Sequence, residues 1–275
     1  MKWNHPTAAP FCASLAMAVV LNAGVASPGA AQVTADPWFN GGTWMFTLEV
    51  GGAAFSDFEK TQARPTGNDI ELGDFSRRVS ANTAGSVGGW ISYWISRGWG
   101  VRAGMSYVPS SFSVWNDETA QRALDDIAPE SDAPHYASLG ILMANASAVF
   151  RFPRSFGRVA PYAIVGGGVI RYRASDDAEL PPEARGRFED GSWQAGAALF
   201  GVGAAIPLQR RNLLMSFEFT NHLAKTPLGD YSDGQVFDLS GVSMQLDPDT
   251  ELSGENRVGM TSHLRLALGL TLPLR

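Results

Sequence analysis

The chain has one cysteine, Cys12, in 275 residues, so no internal disulfide can hold it. It also lacks any run of about eighteen apolar residues, the length a helix needs to cross a bilayer, which excludes a helical membrane protein. Charge is scarce, at 17% of residues, and basic side chains are outnumbered by acidic ones, 21 to 27. A nucleic-acid partner requires a basic surface and is set aside.

What is present starts at the N-terminus. Lys2 and His5 precede an apolar run over 11–25 and the small residues VASPGAAQ. This is the pattern of a secretory signal peptide over 1–31, cleaved after Ala26 or Ala31. Cys12 lies inside it and outside any lipobox-like Leu-x-Gly-Cys context. The mature chain is therefore expected to contain no cysteine and to owe its stability to a large core or to a membrane. Removing 1–31 leaves 20 basic and 27 acidic residues, a formal charge of −7.

Residues 32–275 read as one domain of alternating strands. The clearest is 257–274, RVGMTSHLRLALGLTLPL, whose even positions run Val258, Met260, Ser262, Leu264, Leu266, Leu268, Leu270, Leu272, Leu274. Its odd positions include Thr261, His263, Arg265, Gly269 and Thr271. Side chains alternate across a strand, so one face is apolar and the other small, polar or charged. The repeat outlasts an ordinary strand of five or six residues and suits a tilted strand crossing a bilayer, which needs about ten. Seven further segments, 44–56, 84–95, 99–108, 137–152, 159–173, 192–206 and 212–222, read as strands too, most with clear alternation; the facing of 192–206 is ambiguous.

The connections alternate in length. Those over 57–83, 109–136, 174–190 and 223–256 are long, whereas Arg97-Gly98, PRSFGR and PLQRR are tight turns. Within the long ones, 116–127 suits a short helix with Asn116 as N-cap, and 234–246 suits a β extension that would alter the strand count. The expected fold is all-β: an eight-stranded antiparallel up-and-down transmembrane β-barrel with long extracellular loops, short periplasmic turns and both termini periplasmic. Of the 27 acidic residues, 24 fall in the four long connections, while the turn end carries Arg97, Arg151, Arg154, Arg158, Arg210 and Arg211.

A soluble ligand-binding barrel is the rival, and Gly42-Thr43-Trp44 matches the Gly-x-Trp signature of lipocalins. Such a barrel turns its apolar face inward and needs many charges on its outer wall. The strands offer only Glu49, Arg102, Arg171, Arg173, Glu218, Arg265 and few others, the right number for a packed polar interior. The apolar face is therefore expected to meet lipid. Trp44, Tyr93, Tyr107, Phe150, Phe152, Tyr162, Tyr172, Phe217 and Phe219 are then candidates for the interfacial aromatic girdles.

The signal peptide, the dyad-repeat strands, the loop alternation and the terminal LALGLTLPL together resemble the OmpA/OmpX-type outer-membrane β-barrel family of Gram-negative bacteria, over essentially the whole mature chain. The resemblance implies a monomer in the bacterial outer membrane, contacting outer-membrane lipid and lipopolysaccharide, folded by the barrel-assembly machinery and holding no cofactor. It also implies an assembly signal at Gly269, Leu272 and Leu274, although family members usually end on an aromatic residue and this chain ends Leu274-Arg275. A separate peptidoglycan-binding module is not expected.

Barrel closure pairs the first and last strands, and the seventh flanks the last. Glu49, Glu218 and Arg265 are thus expected to face inward on neighbouring strands, Arg265 as the interior partner of both glutamates, with Arg102 a fourth member of an interior charge network and Arg171 and Arg173 further inward candidates. Buried charges require partners, so this network is expected to plug the lumen. An enzymatic alternative rests on His222, near Thr220 and Glu218, and on Ser262-His263, since outer-membrane lipid A deacylases are eight-stranded barrels using Ser, His and Glu. Their His-x-Ser arrangement is absent from Thr220-Asn221-His222, and Ser262 and His263 face opposite ways. No catalytic residue and no resident metal site is assigned. In the last long connection Asp247, Asp249 and Glu251 offer hard oxygen ligands to a weakly held Ca²⁺. The expected function is a non-enzymatic barrel serving envelope integrity or surface interaction through acidic loops; the alternatives are a lipid A-modifying enzyme and a narrow small-solute channel.

Overall fold

The computed structural model describes residues 39–63, 75–116, 138–152, 158–174, 191–208, 213–226, 236–239, 242–245 and 260–274. Twelve strands form in these segments: β1 Thr43–Phe55, β2 Glu59–Ala63, β3 Phe75–Ala81, β4 Ala84–Trp94, β5 Trp99–Asn116, β6 Ser138–Arg151, β7 Ala160–Ala174, β8 Ser192–Leu208, β9 Leu213–Lys225, β10 Val236–Leu239, β11 Val242–Gln245 and β12 Met260–Leu274. The signal peptide over 1–31, residues 117–127 of the expected helix, the cation ligands Asp247, Asp249 and Glu251, and the turn arginines Arg154, Arg210 and Arg211 lie outside the described residues, while Asn116, the expected N-cap, is instead the last residue of β5.

Eight strands close on themselves. The sheet runs β5-β4-β1-β12-β9-β8-β7-β6, and β5 pairs with β6 to shut the ring. Every pairing in it is antiparallel. The fold is an eight-stranded antiparallel β-barrel in which the first and last barrel strands, β1 and β12, seal the seam through twelve register pairs from Trp44↔Leu274 to Phe55↔His263. Closure leaves no barrel edge bare, so along the paired register backbone donors and acceptors meet partners without water.

Period-two sequence becomes two walls. On β12 Thr261, His263, Arg265, Ala267, Gly269 and Thr271 are buried, while Leu266, Leu268, Leu270, Leu272 and Leu274 are exposed. Trp44, Leu48 and Val50 on β1, Val87 and Ile91 on β4, and Val101, Met105 and Tyr107 on β5 are likewise exposed, Leu48 by 58% and Met105 by 59%. Across the outward positions of the eight barrel strands, among the described residues, there is no Asp or Glu, and the charged side chains are Arg171, Arg173 and Lys225. An apolar wall this continuous is stable only against lipid. The chain is a transmembrane β-barrel.

Three differences from the sequence reading have physical causes. First, the connection over 57–83 contains β2 and β3, and β5 runs to Asn116 instead of stopping at Val108, because β3 pairs with its far end from Arg77↔Asn116 to Ala81↔Phe112. Phe58, Val79, Ala81 and Phe112 are buried there in one cluster with Ala53, Val108, Leu139, Ile141, Met143, Ile170, Tyr172 and Ala174. The isolated apolar residues of that polar stretch drive the extension. Second, β10 and β11 form a hairpin of their own, paired from Val236↔Gln245 to Leu239↔Val242, so the barrel count stays at eight. Third, Tyr162 and Tyr172 are buried on the inward face of β7, not in a girdle, and Arg171 and Arg173 are exposed on its outward face, not in the lumen. Inward positions of β7 are the even ones.

Candidate functional site

The interior of a barrel this narrow is filled by side chains, and here they lie in layers. At the turn end Phe39, Met45, Trp94, Val149, Ala160, Tyr162, Ile164, Leu199, Ala205 and Leu214 form one buried apolar cluster. Phe39, just ahead of β1, packs edge-on against Trp94 with ring centroids 4.7 Å apart, and the Arg151 guanidinium lies over its ring at 4.9 Å. The cluster at the loop end is centred on Phe58, Ile141 and Tyr172. The interior is therefore not polar throughout; apart from Arg151 at the turn end, the described interior charges lie in the middle.

The middle layer brings together the four charged residues expected there. Arg102 Nη1 on β5 lies 2.6 Å from Glu218 Oε1 on β9, and Arg265 Nη2 on β12 lies 2.5 Å from Glu49 Oε1 on β1. Arg265 is 1% exposed and Glu218 6%. In the ring order β5 and β9 are four strands apart by either route, so the Arg102–Glu218 pair crosses the full width of the lumen. Arg265 and Glu49 join adjacent strands.

Neutral neighbours complete the layer. Arg102 Nε donates to Ser147 Oγ at 3.1 Å and its guanidinium stacks over Trp90 at 4.4 Å. The Tyr162 hydroxyl donates to Glu218 Oε1 at 2.7 Å, and Arg265 Nε donates to Ser86 Oγ at 3.2 Å. The space comes from glycines at facing register positions. Glu49 is flanked by Gly88 on β4 and Gly269 on β12, and a Cβ on Gly88 would stand 3.0 Å from its carboxylate oxygen. Gly203 faces Tyr162, and a Cβ there would meet the phenol ring at 2.5 Å. A cavity of about 50 Å³ lies where this layer meets the turn-end cluster, bordered by Arg102, Glu218, Ser216 and Thr271 and by Phe39 and Met45. That is room for a few water molecules.

A second polar layer lies towards the loop end. Asn145 Nδ2 on β6 is 3.2 Å from His222 Nε2, His263 Nδ1 is 3.3 Å from the His222 carbonyl oxygen, and the Tyr172 hydroxyl is 2.6 Å from His263 Nε2. A carbonyl only accepts, so Nδ1 of His263 carries the proton, Nε2 accepts, and Tyr172 donates. These bonds again cross the lumen, linking β7 to β12 and β6 to β9. The sequence reading placed Tyr172 in a girdle and weighed both histidines only as catalysts. The signal was available in strand parity: Tyr162, Ile164, Ile170 and Tyr172 share one face.

Both histidines are held inside this layer. His222 and His263 are 2% and 0% exposed, and their hydrogen-bond partners among the described residues are Asn145, Tyr172 and the His222 backbone. Ser262 is on the other face of β12, where its hydroxyl donates to Asn221 Oδ1 at 2.8 Å. Leu272 and Leu274 sit at the turn end of β12, exposed on the outer wall, while Gly269 lies level with Glu49 in the middle layer.

No family model matches the chain, and no curated relative matches it. Solved structures similar to it include Neisserial surface protein A, at 11% identity, covering 83% of this chain and 96% of that one with a TM-score of 0.40. The outer membrane protein AlkL is similar at 14% identity, 100% and 97% coverage and a TM-score of 0.44. OprG from Pseudomonas aeruginosa is similar at 12% identity, 86% and 98% coverage and a TM-score of 0.42. The barrel assignment stands on the strand register alone.

Proposed function

We propose that this chain is a non-enzymatic barrel of the bacterial outer membrane, with a closed lumen, that serves envelope integrity or surface interaction through its acidic loops. The observation that carries the reading is the Arg102–Glu218 pair, which ties opposite walls of the lumen together at buried positions between two apolar clusters. Breaking such a pair to let ions pass would leave two desolvated charges, at a cost of several kcal/mol. Transport therefore gives way to scaffolding.

The loop end would face outward and the termini inward. The 24 acidic residues of the long connections would then stand above the membrane, where divalent cations can bridge them to lipopolysaccharide phosphates, Asp247, Asp249 and Glu251 among them. Gly269, Leu272 and Leu274 would serve as the signal read by the assembly machinery. Planar-bilayer recording on refolded protein tests the closed lumen. Silence is expected, and a steady conductance would overturn the reading.

A further inference from the structure

The outer wall holds a feature the closed lumen does not explain. A lipid-facing wall without a single described carboxylate nevertheless carries Arg171 and Arg173, two residues apart on the outward face of β7 and both exposed. Their surroundings place them at the membrane boundary. Below them the outward positions of β7 are Pro161, Ala163, Val165, Gly167 and Val169. From Pro161 to Arg171 the strand advances about 33 Å, or about 25 Å along the membrane normal at a tilt of about 40°, the height of the apolar band of such barrels. The register agrees. Arg171 faces Leu142 on β6 and Gln194 on β8, and Leu142 faces Tyr107 on β5, itself 45% exposed. Tyr107, Leu142, Arg171 and Gln194 thus form one row across four strands, with an amphipathic ring at one end.

The row above is a notch. Arg173 faces Gly140 on β6 and Ser192 on β8. Gly140 leaves a gap on the wall, and the Tyr107 hydroxyl leans into it, 2.9 Å from where a Cβ would stand. Arg171 Nη2 donates to Ser192 Oγ at 3.3 Å, which holds one guanidinium beside the gap. Arg171, Arg173, Tyr107 and Ser192 are thus grouped at neighbouring outward register positions around Gly140, with no described carboxylate on the outward face beside them.

We infer that Arg171 and Arg173, with Tyr107 and the Gly140 notch, form a binding site for a phosphate group of a membrane lipid. Guanidinium forks match phosphate oxygens bidentately, and the apolar wall beneath, with Val165, Val169, Leu142 and Phe200 exposed or nearly so, receives the acyl chains. Resting on the orientation proposed above, the lipid is that of the outer leaflet, a phosphorylated acylated saccharide.

The test is a titration of refolded protein in detergent with bisphosphorylated lipid A and with dephosphorylated lipid A. Binding that depends on the phosphates is expected, weakened roughly fivefold by R171Q or R173Q alone and roughly 25-fold by the double variant, with partial recovery in R171K/R173K. Equal binding of the two lipids, or an undiminished affinity in the double variant, would overturn the site. Complete displacement by inorganic phosphate at equal concentration would assign it to a free anion instead, and so also overturn the lipid. Insertion of the wild type into phosphatidylcholine vesicles is scored separately. Failure to insert would sink the membrane reading itself, whereas insertion without phosphate-dependent binding sinks only the site.

Discussion

The outer and inner walls are built from alternate residues of the same eight strands, yet they solve opposite problems. Outside, Leu266, Leu268, Leu270, Leu272 and Leu274 of β12 are each about 40–50% exposed and touch little of the protein; what stabilises them is the solvent they face. Inside, Arg265 of the same strand is 1% exposed and is held by Glu49 and Ser86. The outer wall tolerates any apolar side chain because lipid adapts to it. The inner wall does not, because each interior charge depends on a particular partner from another strand. The comparison explains why one wall reads plainly in sequence and the other does not.

Removing one member of an interior pair should do the most damage. Arg265→Ala leaves Glu49 buried without a counter-charge, and a loss of about 3–5 kcal/mol is expected in urea unfolding from lipid vesicles. Replacing both, as Arg265→Met with Glu49→Leu, should recover most of it; a double variant as weak as the single one would mean that the network is not what holds this part of the lumen.

Next comes the outer wall. Leu268→Lys puts a cation near the bilayer midplane at an expected cost of about 2–4 kcal/mol, seen in the same assay. Unchanged folding into lipid would mean the two walls had been assigned the wrong way round. A smaller effect tests how tightly the lumen is filled: Gly203→Ala forces the Tyr162 ring off Glu218, and about 1–3 kcal/mol of overpacking is expected. Smallest is Tyr172→Phe, which removes the hydroxyl donated to His263 and should cost about 1 kcal/mol. A stability equal to wild type would show that the histidine layer only fills space.

How much was legible follows from the same contrast. Alternation in 257–274 and 99–108 placed the outer leucines, Val101, Met105 and Tyr107 where they stand, since a period of two needs no knowledge of neighbours. Barrel closure also put Glu49, Glu218 and Arg265 on adjoining strands by topology alone. The pairing was legible only in part: Arg265 meets Glu49 as expected, but Glu218, expected to share Arg265, pairs with Arg102 instead. Arg102 sits on β5 and Glu218 on β9, and nothing local says that these strands oppose each other across the ring. β7 misled for a different reason: Ile164, Tyr172, Val165 and Val169 make both of its faces partly apolar, so Tyr172 and Arg171 were assigned to each other's sides. Phe58, Val79 and Phe112 looked like stray residues in a polar loop until they met over the end of the barrel.

By itself the sequence determined the architecture: strands of this length, alternating this strictly and nearly free of charge on one face, are stable only as a closed barrel in lipid, because hydrogen-bond closure and apolar burial leave no other solution. Only the tertiary structure decided what fills the barrel. Which arginine meets which glutamate, which tyrosines turn inward and which arginines are left at the rim depend on register and stagger around the ring. Those are properties of eight strands together.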